Sequence, residues 1–103
     1  MAFFELTNDD LEQFLTVSPK TLVMFGTDWC SECVSLKPEF ETISKTNVEI
    51  PFVYVNADEQ PNSRNLVEFK NIPTIVAFDK TKNLGQKYGN KVDVITSVLE
   101  NLK

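Results

Sequence analysis

Hydrophobic positions along the chain alternate between two spacings, one typical of strands and one typical of helices. Residues 21–26 form a nearly continuous apolar run, which suits a strand buried on both faces. In residues 33–43 the apolar side chains recur at intervals of three and four, so one face of a helix is apolar. Pro38 falls inside that pattern. Because the apolar stripe continues past it, we expect a kinked helix rather than the end of one.

Shorter patterns of the same two kinds predict the other elements. Further strands are predicted over residues 3–6, 51–57, 74–78 and 86–88. A capping box at residues 7–10 precedes one helix, a short helix over residues 62–70 should bury Leu66 and Phe69, and Asn90 should cap the last helix. The order β-α-β-α-β-α-β-β-α indicates an α/β domain. Its sheet should be mixed, because the last two strands are joined too tightly for a crossover.

Length and composition limit the chain to one domain and exclude several classes of function. The 103 residues suit a single domain over residues 1–103. Without histidine there is no Ser-His-Asp triad and no imidazole ligand, and two cysteines do not complete a four-thiolate zinc site. The formal charge of -5 argues against nucleic-acid binding, and no apolar run reaches the roughly 20 residues of a membrane span. No glycine-rich phosphate loop is present, so we expect neither a metal nor a cofactor.

The two cysteines, Cys30 and Cys33, lie where the long apolar strand passes into the long helix. A helix N-terminus stabilises an anion, and only the thiolate form of cysteine is nucleophilic. Cys33 follows one turn later, where it can attack a mixed disulfide formed at Cys30. The N-terminal residues lack the pattern of a secretory signal, so we expect a cytosolic protein, in which such a pair serves redox chemistry or metal binding. Half of a zinc site, or two unrelated core cysteines, are the alternative interpretations.

Five short motifs, in the same order along the chain, resemble those of the thioredoxin family. They are the active-site motif Trp29-Cys30-x-x-Cys33, the helix-kinking Pro38, the strand end at residues 56–58, the turn Ile72-Pro73-Thr74 with its cis-proline, and Gly89 beside the substrate groove. The resemblance runs through nearly the whole chain. It implies the thioredoxin fold, in which a central mixed sheet is flanked by helices.

The resemblance also implies a role for each matching residue. Cys30 would attack the substrate disulfide, and Cys33 would resolve the mixed disulfide and release the reduced product. Trp29 would cover the cysteine pair. Pro73 would shape the groove next to Gly89, and the backbone of Ile72 would hydrogen-bond an extended substrate segment as an added strand.

Between the cysteines the family commonly has Gly-Pro, whereas this sequence has Ser31-Glu32. Ser31 can hydrogen-bond a thiolate, but Glu32 and the nearby Asp28 place negative charge beside Cys30. At about 6 Å and an effective dielectric of ~20 to ~80, one such charge disfavours the thiolate by roughly 0.7–3 kcal/mol. The helix N-terminus opposes this by about 0.3–2 kcal/mol. Because the two effects are comparable, we expect the dithiol to act as a reductant.

A second departure from the family lies in the predicted core. Thioredoxins typically bury a carboxylate five residues before the tryptophan and a lysine on the neighbouring strand, where this sequence has Met24 and Tyr54. Losing both partners together leaves no unpaired buried charge. It does remove the group that would exchange a proton with Cys33, and we expect Glu32 or solvent to take that role.

These observations favour a monomeric thiol–disulfide oxidoreductase that reduces protein disulfides and receives electrons from a thioredoxin-reductase-type enzyme. Two alternatives stay open. A glutathione-coupled, glutaredoxin-like enzyme is less compatible with Trp29 and with the acidic charge beside Cys30. A non-catalytic thioredoxin-fold subunit of a larger enzyme would use the apolar groove at Trp29, Ile72 and Pro73 for binding alone.

Overall fold

The computed structural model describes residues 3–103, and its elements follow the predicted order. The strands are β1 (Phe3–Glu5), β2 (Lys20–Gly26), β3 (Phe52–Asn56), β4 (Thr74–Asp79) and β5 (Lys82–Tyr88). The helices are α1 (Leu11–Val17), α2 (Ser31–Ser44), α3 (Pro61–Arg64) and α4 (Val92–Leu99), followed by a 3-10 turn at Glu100–Leu102. Pro38 lies inside α2, as predicted.

The five strands form one mixed sheet in the order β1-β3-β2-β4-β5. The pairs β1–β3 and β3–β2 are parallel, whereas β4 runs antiparallel to β2 and β5 antiparallel to β4. The central strand β2 is buried from Thr21 to Gly26, which explains its continuous apolar run. The predicted mixed sheet is therefore confirmed.

Helices cover both faces of the sheet and create two apolar cores. Leu22 and Met24 of β2 point to the face covered by α2 and α4, and this core also contains both cysteines. Val23 and Phe25 point to the opposite face, which is covered by α1 and by the segment after α3. The alternation of side chains along β2 thus assigns the cysteine pair to the α2 face.

The predicted capping box before the first helix is wrong. The N-cap residue of α1 is Asp10, and its side chain makes no capping hydrogen bond. Asp9, which has a φ of 52°, directs its carboxylate to the N-terminus of α3 instead. There it accepts hydrogen bonds from the backbone N–H groups of Asn62 at 3.0 Å and Ser63 at 2.7 Å. A carboxylate caps whichever helix N-terminus lies within reach in space, and here that helix is distant in sequence.

The third helix is shorter than predicted and ends at Arg64. Beyond it, Leu66 is 39% exposed, whereas Val67 is buried. The Arg64 guanidinium donates hydrogen bonds to the carbonyl oxygens of Val67 at 3.2 Å and Phe69 at 3.1 Å, and it lies 4.1 Å from the centroid of the Phe69 ring. These side-chain contacts satisfy carbonyl groups of an irregular segment, so the backbone does not need to continue as a helix.

Candidate active site

The two cysteines occupy different environments at the start of α2. Cys30 is the N-cap residue of this helix, and its Sγ accepts a hydrogen bond from the backbone N–H of Cys33 at 3.2 Å. The Cys30 thiol also lies 3.9 Å from the carbonyl oxygen of Ile72. Cys30 is 9% exposed and Cys33 is fully buried. Cys30 is therefore the more accessible of the two cysteines, and Cys33 lies deeper in the same core.

An open groove of about 490 Å³ lies beside the Cys30 sulfur. Its lining contains five of the residues singled out from the sequence, namely Trp29, Cys30, Ser31, Glu32 and Ile72. Lys70 and Asn71 complete the lining. Sequence reasoning missed these two residues, although they directly precede the Ile72-Pro73 turn.

The indole of Trp29 is held at the edge of this groove while remaining 73% exposed. Its Nε1–H donates a hydrogen bond to Oδ2 of Asp58 at 2.7 Å. The Asn56 side chain holds Asp58 in place, because its Oδ1 accepts a hydrogen bond from the Asp58 backbone N–H at 3.0 Å. The strand end at residues 56–58 therefore supports the tryptophan beside the cysteines.

The turn opposite Cys30 is joined to Gly89 by a backbone hydrogen bond. The Ile72–Pro73 peptide bond is cis, and the carbonyl oxygen of Pro73 accepts a hydrogen bond from the Gly89 N–H at 3.1 Å. Gly89 has a φ of 149°, and a Cβ there would come within 2.8 Å of Cγ2 of Val94. Only glycine fits both the backbone conformation and the available space.

The two acidic residues near the motif lie in different places. Glu32 lines the groove, and its carboxylate accepts a hydrogen bond from Nδ2 of Asn90 at 3.5 Å. The predicted capping role of Asn90 is wrong, because the N-cap residue of α4 is Lys91 and no side chain caps that helix. Asp28 is exposed and lines a separate pocket together with Tyr54. Only one of the two carboxylates therefore borders the Cys30 side of the site.

Beneath the cysteines lie Met24 and Tyr54, which are directly opposite each other in β2 and β3. Both side chains are buried. A Cβ on Gly26 would lie 3.0 Å from the Tyr54 hydroxyl oxygen and 3.1 Å from the Cys33 Sγ. Glycine at position 26 thus leaves room for the phenol and the thiol to approach the same small space. Lys37 Nζ lies 4.3 Å from the centroid of the Tyr54 ring.

Burial controls the ionisation of both groups below the site. It raises the pKa of Cys33 to about 12, and the hydrogen bond with Cys30 adds to the effect. Burial also raises the pKa of Tyr54, and the negative charge of an ionised Cys33 contributes to that increase. Both groups are therefore neutral at neutral pH, so Cys33 must lose a proton before it acts as a nucleophile.

The raised pKa of Cys33 predicts an unusual pH dependence of alkylation. In a Cys30→Ser variant, reaction of Cys33 with iodoacetamide should accelerate about tenfold per pH unit from about pH 7 to pH 10, without a plateau, because burial, the largest cause of the raised pKa of Cys33, is retained in the variant. Mass spectrometry of quenched samples measures the rate. The same variant unfolded in urea should reach a plateau above about pH 9.5, one unit above the ordinary cysteine pKa of about 8.5. A plateau in that range for the folded variant would contradict the prediction.

Two thiols one turn apart, one at a helix N-terminus beside an open groove and one buried, define a thiol–disulfide oxidoreductase. The chain belongs to the thioredoxin family, whose model, described as Thioredoxin, matches residues 2–101. The fold class predicted from the sequence is thereby confirmed.

Individual relatives agree with this assignment. The chain is 34% identical over 87 residues to the thioredoxin of Buchnera aphidicola, covering 82% of this chain and 81% of that protein. It is 32% identical over 90 residues to the mitochondrial thioredoxin-2 of Schizosaccharomyces pombe, covering 87% and 68%. Among solved structures, the Plasmodium falciparum thioredoxin superposes with a TM-score of 0.87 at 19% identity, covering 96% of this chain and 98% of that one.

Two further observations concern metal binding and membrane-spanning helices. Within residues 3–103, no cluster of three or more cysteine and acidic side chains is arranged to bind a metal ion. In the same part of the chain, every helix is too short or too polar to cross a membrane.

Proposed function

We propose that this protein reduces protein disulfides through Cys30 and Cys33. The observation that supports this most directly is the asymmetry of the pair: the Cys30 sulfur lies at the N-terminus of α2 and borders an open groove, whereas Cys33 is buried one turn behind it. A nucleophile that meets substrate and a second thiol that meets only the mixed disulfide are the two components that dithiol–disulfide exchange requires.

In the first step, the Cys30 thiolate attacks one sulfur of the substrate disulfide. The substrate S–S bond breaks, a mixed disulfide forms, and the other substrate sulfur leaves and takes up a proton. In the second step, the Cys33 thiolate attacks the Cys30 sulfur, so that the Cys30–Cys33 disulfide forms and the second substrate thiol is released. The substrate gains two electrons, and the protein loses the same two.

The groove supports binding of an extended peptide around the reacting sulfur. The Ile72 carbonyl faces the Cys30 thiol, and a substrate segment pairing with the Ile72 backbone as an added strand would place its disulfide at Cys30. The exposed Trp29 ring offers an apolar contact on the same groove. Pro73 and Gly89 support this edge through their shared hydrogen bond.

We further propose that a reductase enzyme, rather than glutathione, regenerates the dithiol. Lys70 lines the groove beside Cys30, and this is the feature that favours the glutathione-coupled alternative, because a base there can meet a carboxylate of glutathione. Glu32 on the same groove opposes that charge. The cytosolic location expected from the sequence stays a prediction, as does the monomeric state, and one relative is named as mitochondrial.

Insulin-disulfide reduction with two electron sources tests the proposal. With NADPH and a thioredoxin reductase, the protein should accelerate precipitation of the insulin B chain. With NADPH, glutathione and glutathione reductase, turnover should be much lower. The reverse order of rates would support a glutaredoxin-like enzyme, and no turnover with either source would support a binding subunit. In that last case, a variant with both cysteines replaced by serine should retain the biological activity.

A further inference from the structure

The second step of the proposed exchange needs a proton path from a buried thiol. Cys33 is fully buried, and it belongs to the same core as the apolar Met24. A thiol in such surroundings holds its proton, yet only the thiolate attacks a disulfide. The sequence alone favours Glu32 or solvent as the group that removes this proton. The structure offers a different group on the opposite side of the thiol.

That group is the hydroxyl of Tyr54. A Cβ added to Gly26 would lie 3.0 Å from the Tyr54 hydroxyl oxygen and 3.1 Å from the Cys33 Sγ. The hydroxyl oxygen and the sulfur are therefore no farther apart than the sum of these two distances. This separation is within the reach of one bridging water.

Tyr54 also reaches the surface, although it is only 5% exposed. It borders two pockets on the side of α2 away from the groove, with volumes of about 340 Å³ and about 120 Å³. Asp28 and Lys37 line both pockets, and Glu41 lines the larger one. The phenol therefore lies between the buried thiol and two pockets that are open to solvent and lined in part by charged side chains.

We propose that the Tyr54 hydroxyl relays the proton between Cys33 and solvent in these pockets. The inference rests on the function proposed above and concerns its second step. As Cys33 attacks the Cys30 sulfur, the hydroxyl accepts the thiol proton through one bridging water and passes its own proton to pocket water. The departing substrate thiolate takes up a proton from solvent, so the protons balance and no further oxidant or reductant is required.

The surroundings of Tyr54 suit a relay rather than a base. A neutral hydroxyl both accepts and donates a hydrogen bond, and burial keeps the phenol neutral. The Lys37 ammonium lies over the ring and forms an ion pair with Glu5, which holds the ring in position. Glu32, in contrast, lines the groove on the Cys30 side and is hydrogen-bonded to Asn90.

A Tyr54→Phe variant tests the relay, because it keeps the ring, its packing and the contact with Lys37 while removing only the hydroxyl. Stopped-flow reaction of the reduced protein with 5,5′-dithiobis(2-nitrobenzoate) separates the two steps, since attack by Cys30 releases the first thionitrobenzoate and attack by Cys33 releases the second. We expect the second release to slow by about tenfold or more in the variant, with the first release within about twofold of wild type. Imidazole buffer should accelerate the second release in the variant but not in wild type.

A control variant and a competing variant decide whether Tyr54 is the relay. Tyr88→Phe removes the hydroxyl of the other tyrosine, which is half exposed on β5, and should leave both steps unchanged. The relay is refuted if Tyr54→Phe resolves as fast as wild type, if it slows both steps equally, or if imidazole fails to restore the second step. Slower resolution in Glu32→Gln, but not in Tyr54→Phe, would assign the role to the glutamate instead. Absence of both releases in wild type would refute the proposed function itself.

Discussion

Replacing Cys30 with serine should reduce insulin-disulfide reduction by at least about 1,000-fold, because a hydroxyl cannot act as the sulfur nucleophile. The fold should tolerate this change. Cys30 is the N-cap residue of α2 and accepts the backbone N–H of Cys33, and serine is among the preferred residues at an N-cap position. The loss should therefore be chemical, with a melting temperature close to that of wild type.

Replacing Cys33 with serine should have a different result. Attack by Cys30 should continue, but the mixed disulfide should accumulate because the buried resolving thiol is absent. Non-reducing electrophoresis and intact mass after incubation with a disulfide-containing protein measure that adduct. Turnover should fall to a similar extent as in Cys30→Ser, while only Cys33→Ser forms the adduct.

The pair of variants also tests the order of the two cysteines. The Cys30→Ser variant could also form an adduct, on Cys33. If this adduct formed as fast as the adduct of Cys33→Ser, both sulfurs would react with substrate. Such a result would conflict with the burial of Cys33. Ser31 lies on the same turn, so Ser31→Ala is a control variant. It separates the effect of losing a sulfur from the effect of disturbing the start of α2.

Phe40→Ala is the substitution with the largest expected effect on stability. Phe40 is fully buried, and its ring centroid lies 4.9 Å from that of Phe52 and 6.1 Å from that of Phe3. Removing a buried phenylalanine side chain leaves a cavity and typically costs about 3–5 kcal/mol. Domains of this size commonly have a free energy of unfolding of about 5–15 kcal/mol, so much of the stability should be lost. Because Phe40 anchors α2 on the sheet, the active-site helix depends on it.

Urea denaturation followed by circular dichroism measures this free energy. Phe4→Ala is the matched control, since Phe4 is 40% exposed and removes less apolar surface from water when the protein folds. Its expected loss is less than half of that for Phe40→Ala. Equal losses in the two variants would show that the core between α2 and the sheet does not stabilise the protein as described.

The elements that the sequence predicted well are those with strong local patterns. The continuous apolar run of β2 and the three-and-four spacing of α2 each depend on burial along one element, so neighbouring residues carry the whole signal. The position of Cys30 at the start of α2 follows from the junction of these two patterns. This junction is why the cysteine pair could be identified without a structure.

The predictions that were wrong concern short-range capping, a short helix and the start of the last strand, which is predicted at residue 86 and begins at Lys82. The capping box at residues 7–10 does not form, and Asp9 within it bonds to α3 instead. Asn90, predicted to cap α4, bonds to Glu32. The third helix ends at Arg64 because the guanidinium bonds to carbonyls beyond it. A polar side chain has several partners within reach, and sequence shows only the local ones.

By itself, the sequence determined the chemistry: two thiols at a strand–helix junction, no histidine, and Met24 at the core position where the family usually has a carboxylate. Only the tertiary structure decided which groups surround the buried thiol. Gly26 and Tyr54 come from adjacent strands, and their approach to Cys33 depends on the β2–β3 register and on the space left by a missing Cβ. Contacts of this kind depend on how distant segments pack against each other, which no local pattern encodes.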